Sequence, residues 1–248
     1  MKSKRAKVTS IGDYSPAGFR WLRLKRLHYL DRKGNERTWE SAERSTRPAS
    51  GVDAVAVYAR LVSETENTEK LVLVSQFRPP LDKYVLELPA GLVDSGETPS
   101  EAALRELREE TGLVGRSAEE SPLLFSDPGL SNASMKLVEV TVDMDDARNR
   151  FPKQALDEGE DIAVHYVSAS GLRRELESLC EAEDLVVDAR LWTIAFGKEV
   201  GEASGGKGAG SFSAFVSTID PSTAFFAGAV FASTAVVAGL VKGLFFSK

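Results

Sequence analysis

GLVDSGETPSEAALRELREETGL, residues 91–113, reads as a loop that runs into a helix, and the rest of the chain is organised around it. Thr98 stands three residues before Glu101, the spacing of a capping box, in which the hydroxyl accepts from an early helix amide and the carboxylate returns to the cap backbone. Pro99 suits the first helical position, and Gly112 suits the left-handed residue that closes a helix. Between them Ala103, Leu104 and Leu107 form an apolar stripe, while Glu106, Glu109 and Glu110 fall within about 100° of one another at 3.6 residues per turn. Clustered carboxylates repel unless a cation lies between them, and oxygen ligands suit a hard divalent ion, Mg²⁺ or Mn²⁺. The ordinary reading of such a run is a solvated face of Glu and Arg neighbours.

The full spacing argues for the metal. The pattern GX5EX7REUXEEXGU, with U apolar, is met at Gly91, Glu97, Arg105, Glu106, Leu107, Glu109, Glu110, Gly112 and Leu113. This stretch resembles the Nudix box. The resemblance implies an α/β fold, an α/β/α sandwich around a mixed sheet. It also implies a hydrolase that cuts a nucleoside diphosphate joined to another group, with Mg²⁺, or Mn²⁺, held by Glu106, Glu109, Glu110 and the carbonyl of Ala90. On the same pattern Glu97 and Arg105 brace the loop against the helix.

Composition sets limits on the rest. A chain of 248 residues has more than one ordinary domain needs, and its formal charge of −6, with no basic stripe, argues against a general nucleic-acid binder. The lone Cys180 excludes an intrachain disulfide framework, and two histidines, His28 and His165, make a histidine-rich metal site or a Ser-His-Asp hydrolase improbable. Water activated at carboxylate-bound metal needs neither.

In chain order, residues 1–13 read as a flexible basic terminus without the apolar core of a secretory signal. Residues 14–50 read as a small β-hairpin subdomain, with strands over Phe19–Leu30 and Thr38–Arg44 and turn chemistry at Asp31–Asn35. Trp21 and Trp39 would ordinarily be core residues. Their surroundings, FRWLRLKRLHYLDRKGNERTWESAER, resemble the N-terminal segment of the human-type ADP-sugar pyrophosphatases, in which two tryptophans sandwich the adenine. That resemblance implies substrate contacts at Trp21, Trp39, Arg44, Leu92 and Asp127, and a homodimer through N-terminal strands with the tryptophans drawn from different subunits. QFRPP, ending a strand over Leu71–Phe77, is similar to the phrase whose arginine holds the diphosphate in that branch, here Arg78. Pro128 stands sixteen positions after Gly112, and PGLSN matches the ADP-ribose pyrophosphatase phrase.

Residues 51–200 read as the catalytic domain, with further strands at Val52–Leu61, Tyr84–Leu88, Leu123–Phe125, Lys136–Val142 and Ile162–Val167. The charged segment Asp143–Glu158 reads as a mobile loop, and related enzymes imply a general base just beyond it, Glu160, with Asp161 and Glu158 as rivals. Helices over Ser170–Glu183 and Leu185–Val200 supply packing. Residues 201–220 read as a flexible linker, and residues 221–246 as a transmembrane tail that leaves the catalytic domain in the cytosol at an organelle membrane. Pro221–Val241 carries no charge, and as a helix it would run roughly 32 Å against a bilayer core of about 30 Å. A tail helix packed on protein is the rival. For function, hydrolysis of ADP-ribose or another ADP-sugar to AMP and a sugar 5-phosphate is expected. The alternatives are a Nudix hydrolase of an oxidised nucleotide or dinucleotide, and an idle membrane-tethered ADP-ribose binding module.

Overall fold

The structure is a computed structural model that describes residues 5–65 and 68–203. The chain divides into two compact units, residues 1–191 and 192–248; of the second, only helical residues to Ala203 lie among the described residues.

The first sheet is an antiparallel three-stranded ribbon of β1 (Lys7–Asp13), β2 (Leu22–Leu30) and β3 (Glu36–Arg44). The β2–β3 turn forms because the Asp31 carboxylate accepts from the amides of Lys33 (2.8 Å) and Asn35 (3.0 Å), and Gly34 takes φ 88°. Asn35 hydrogen bonds hold the Asp31 carboxyl down at about 2. A flexible terminus through residue 13 is corrected by β1: Lys7–Asp13 is a strand, giving three strands in place of a hairpin. Its cohesion is backbone pairing with β2, while Val8 and Ile11 stay exposed, so no apolar alternation announces it.

The second sheet is mixed. It contains β4 (Ala54–Ser63), β5 (Thr68–Arg78), β6 (Lys83–Glu87), β7 (Ala90–Leu92), β8 (Arg116–Glu120), β9 (Leu124–Phe125), β10 (Ser134–Asp143), β11 (Ile162–Ser168) and β12 (Val186–Val187). The order is β12-β6-β5-β4-β10-β8, with β11 on β5, β7 on β4 and β9 on β10. The β10–β4 and β12–β6 pairs are parallel and the others antiparallel. Residues 71–75 of β5 are buried one after another, which requires both faces of the strand to be covered. On one face Val55, Val57, Ala59 and Leu61 alternate inward to meet Val138, Val140 and Val142, and α1 (Pro99–Thr111) closes this core with Ala102, Ala103 and Leu107. Burying Leu107 contributes roughly 1.5–3 kcal/mol.

The α1 boundaries follow the sequence reading. Thr98 Oγ1 accepts from the Glu101 amide and Glu101 Oε2 accepts from the Thr98 amide (2.8 Å), with Pro99 in the first turn. Gly112 takes φ 75°, and a Cβ there would also strike the Lys153 backbone, so glycine is required twice over.

Past β10 the expected mobile loop is corrected in part. The 3₁₀ turn Ala147–Asn149 buries Asn149, whose side chain accepts from the Val114 amide (2.8 Å) and donates to the carbonyls of Val114 (2.9 Å) and Asp143 (2.8 Å). α2 (Leu172–Glu183) comes next and contacts β11. Where a helix is expected from Leu185, Val186 and Val187 instead pair with Val85 and Leu86, and α3 (Ala189–Ala203) starts after them and runs three residues into the expected linker. Two adjacent β-branched residues favour the short strand. The remaining linker and the transmembrane tail, residues 204–248, lie outside the described residues. Among the described residues no helix is long and apolar enough to cross a membrane.

Candidate active site

The box glutamates come up against β7 because α1 packs on that strand. The Ala90 amide donates to Glu110 Oε2 (3.0 Å), tying the helix to the strand. Gly91, paired with Val55, lets the Glu106 carboxylate lie against the β7 backbone; a Cβ at Gly91 would overlap that carboxylate. Arg105 is the brace that the sequence implies. Its Nε and Nη2 donate to the two Glu97 oxygens (2.9 Å each), Nη2 also reaches the Leu92 carbonyl (2.9 Å), and Nη1 reaches Glu106 (2.8 Å) and Glu109 (3.0 Å).

The charge balance here differs from the sequence expectation. Part of the repulsion among the carboxylates is relieved by Arg105 Nη1, which lies within hydrogen-bond distance of both Glu106 and Glu109. Among the described residues no three acidic, His or Cys side chains already converge as a ligand set. Glu110 is 3% exposed, and burial, with Glu106 and Glu160 nearby, pushes its carboxyl up to about 8 against the pull of the Ala90 amide. Burial likewise pushes Glu106 up against the pull of Arg105. The donors are all oxygens, two of them in carboxylates disfavoured as bare anions, on a strand that glycine opens to them. This set fits a divalent cation at Ala90, Glu106, Glu109 and Glu110.

Beside β7 opens a cavity of about 650 Å³. Of the residues expected to bind substrate, Arg44, Arg78 and Leu92 line it together with Ala90. Among the described residues the Arg44 guanidinium has no hydrogen-bond or ion-pair partner. Arg78 is gripped from behind: Nε and Nη2 donate to the two oxygens of buried Glu87 (2.7 and 2.6 Å), which leaves Nη1 without a partner among the described residues. Glu87, Asp188 and Arg190 also line the cavity and were not singled out from sequence. Glu87 reads there as an ordinary strand residue, and its one signal is a charge on a strand whose next residues, Leu88 and Pro89, are apolar.

Trp21, Trp39 and Asp127 stand apart from this cavity. Trp39 is 50% exposed and its indole Nε1 donates to the Gly129 carbonyl (2.8 Å), while Trp21 is 63% exposed with the Arg20 guanidinium 5.1 Å from its ring centre. In the β2–β3 register Trp39 faces Leu27, and the Ser45 amide extends the pairing to the Trp21 carbonyl. Six positions along the ribbon put the two Cα atoms roughly 20 Å apart at about 3.3 Å per residue. One chain therefore does not bring them together around a base. Asp127 lies in the turn beneath Trp39, where its carbonyl accepts from the amides of Leu130 (3.1 Å) and Ser131 (2.9 Å).

The loop carrying Glu160 hangs from the end of α1. Gln154 Nε2 donates to the carbonyls of Glu110 (2.7 Å) and Ile162 (2.9 Å), and the Ala155 amide donates to the Glu109 carbonyl (2.8 Å). Glu160 accepts from the Asp157 amide (3.0 Å) and lies near enough to raise the carboxyls of both Glu106 and Glu110. Asp161 and Glu158 are not among the charges with the largest effect on those two groups.

The family model described as NUDIX domain matches residues 53–192. An uncharacterized Nudix hydrolase of Schizosaccharomyces pombe is 40% identical over 200 residues, covering 81% of this chain and 96% of the relative. The ADP-sugar pyrophosphatase of Mus musculus is 42% identical over 173 residues, 70% of this chain and 79% of the relative. The ADP-ribose pyrophosphatase of Saccharomyces cerevisiae is 38% identical over 178 residues, 72% of this chain and 77% of the relative.

Proposed function

Since this chain belongs to the NUDIX family, we propose that it hydrolyses the diphosphate bond of ADP-ribose or a related ADP-sugar, giving AMP and a sugar 5-phosphate. The observation that carries this reading is the placement of Arg44 and the open edge of Arg78 in one cavity with Ala90, whose amide holds the box carboxylate Glu110. A guanidinium edge binds phosphate oxygens in its own plane, and Glu87 fixes that plane for Arg78. A divalent cation, Mg²⁺ or alternatively Mn²⁺, when bound by Ala90, Glu106, Glu109 and Glu110, supplies Lewis acidity toward the phosphoryl oxygens. Glu160, on the loop held at the end of α1, takes the proton of the attacking water, with Glu109 beside it. Leu92 gives an apolar wall and its carbonyl is fixed by Arg105.

The adenine is proposed to stack between Trp39 of one subunit and Trp21 of the other in a homodimer, with Asp127 beside it. Two features support this: the six-residue separation within a chain, and the exposed Val8 and Ile11, which the register puts on one face of the N-terminal sheet with Leu27 and Trp39, an apolar face suited to a second copy. Residues 221–246 are proposed as a tail anchor with the catalytic domain in the cytosol, on the strength of their sequence alone. Carbonate extraction tests it: a full chain that washes off membranes overturns the anchor.

The test of the activity is turnover with Mg²⁺ over ADP-ribose, ADP-glucose, NADH and an oxidised nucleoside triphosphate. ADP-ribose or ADP-glucose is expected to give the highest kcat/KM. Preference for the triphosphate or the dinucleotide would replace this reading.

A further inference from the structure

The wall of the cavity holds a second arginine–carboxylate pair that the reaction as described leaves without a task. Arg190 Nε and Nη2 donate to the two Asp188 oxygens (2.8 Å each), and Asp188 Oδ1 also accepts the Arg190 amide (2.8 Å). The remaining Arg190 nitrogen, Nη1, is spent on the Met135 sulfur at 3.3 Å, a weak acceptor. This pair lies beside the first one. β12 runs parallel to β6 with Val187 opposite Leu86, and the Asp188 amide donates to the Leu86 carbonyl (3.0 Å), so Asp188 and Glu87 follow directly on neighbouring strands. Two carboxylates and two guanidiniums thus share one stretch of wall. Arg78 is drawn by Asp188 as well as by Glu87, and Arg190 by Glu87 as well as by Asp188.

Such an arrangement has two ways to pair its charges, and only one turns Arg78 correctly. With Asp188 occupied at both oxygens, Glu87 is the one carboxylate left to hold Arg78, and its two-point grip faces Nη1 to the cavity. An unpaired Asp188 would compete with Glu87 for Arg78 and rotate that edge away. We propose that Arg190 is a positioning residue: by occupying Asp188 it commits Arg78 to Glu87 and so fixes the guanidinium edge that receives the diphosphate. This rests on the reading of the cavity as the diphosphate site.

The test is steady-state turnover of ADP-ribose with Mg²⁺ by the full chain carrying Arg190→Gln, Asp188→Asn, or both, with thermal unfolding of each. Arg190→Gln leaves the carboxylate bare, and KM is expected to rise by about tenfold to a hundredfold, the range for losing a hydrogen bond to a charged group, while kcat changes little. The double variant removes the competitor along with the cation, and its KM is expected to return to within a few fold of the parent. A double variant as impaired as Arg190→Gln would show that Arg190 touches the substrate itself, and would overturn the positioning role. A lowered Tm with unchanged KM in Arg190→Gln would reduce the pair to a structural contact. Failure of the parent chain to turn over any ADP-sugar would instead strike the proposed function.

Discussion

Gly91→Ala is a small change with a calculable collision. The backbone at this position is not left-handed, so alanine meets no conformational objection; the added carbon lands on the Glu106 carboxylate. β7 cannot retreat, because Gly91 is paired with Val55, a fully buried residue of the central strand β4. The carboxylate must therefore swing out, breaking its 2.8 Å bond to Arg105 and leaving its place against Gly91. The colliding atoms are the far end of a flexible side chain, so the fold itself yields cheaply, and the cost is the lost Arg105 contact, about 1 kcal/mol or less. Disturbing the seating of a ligand costs roughly 10–100-fold in metal affinity. Urea unfolding should register the first, and the Mg²⁺ concentration giving half-maximal turnover should register the second. Gly91→Ala combined with Glu106→Ala removes the collision, so its stability should match Glu106→Ala alone within about 0.5 kcal/mol. Parent-like stability and Mg²⁺ dependence in Gly91→Ala would refute the seating of Glu106 on β7.

Three further outcomes are expected. Glu110→Gln keeps the Ala90 contact in shape but removes the charge, and turnover at saturating Mg²⁺ should fall by orders of magnitude with the fold intact by circular dichroism; near-normal kcat would remove Glu110 from the ligand set. Trp21→Ala and Trp39→Ala should chiefly raise KM, by about 1–3 kcal/mol of lost stacking, with kcat preserved. Unfolding of either variant would return that tryptophan to the core. For pH, burial pushes the Asp53 carboxyl up, but the Arg47 hydrogen bonds (2.9 and 2.6 Å), the Ser134 amide and the Arg47 charge together hold it below its ordinary value. A depressed carboxyl gives stability that is present above the unfolded value of about 4 and is lost as pH falls through the lower folded value. Urea midpoints taken from pH 7 down to pH 3 should thus converge between the parent and Asp53→Asn, and a gap that stays constant would refute the ion pair as its source.

The parts of this fold that were legible are those where several local signals coincide. Thr98, Pro99, Glu101 and Gly112 each mark the same helix, and the structure places its ends where they indicate. Elements held by pairing rather than by side-chain pattern were not legible. β1 leaves its large apolar residues exposed, and β7 and β12 are too short to show a period. At the site, Arg44, Arg78 and Leu92 came from separate phrases of the family resemblance, and they do share the cavity. Glu87, Asp188 and Arg190 escaped because their meaning lies in the β6–β12 neighbour relation, which joins residues a hundred positions apart and leaves no trace in a linear spacing. Nor does a linear spacing show that Trp21 and Trp39 lie along one ribbon, too far apart to share a ligand.

Gln154 clasps the chain at the Glu110 carbonyl and again at the Ile162 carbonyl, so the segment carrying Glu160 is a closed loop whose two feet, Gln154 and Ile162 at the start of β11, are drawn together at the end of α1. In the role proposed for Glu160, a carboxylate on so short a loop would act as a tethered reagent. Its effective concentration over the box is fixed by the few residues between the two feet, and it falls roughly as the −3/2 power of their number once the loop is longer than the span it must cover. Residues 155–161 are in this sense a ruler. Inserting glycines there would dilute the carboxylate without altering any contact in the cavity, whereas shortening the loop would withdraw it altogether.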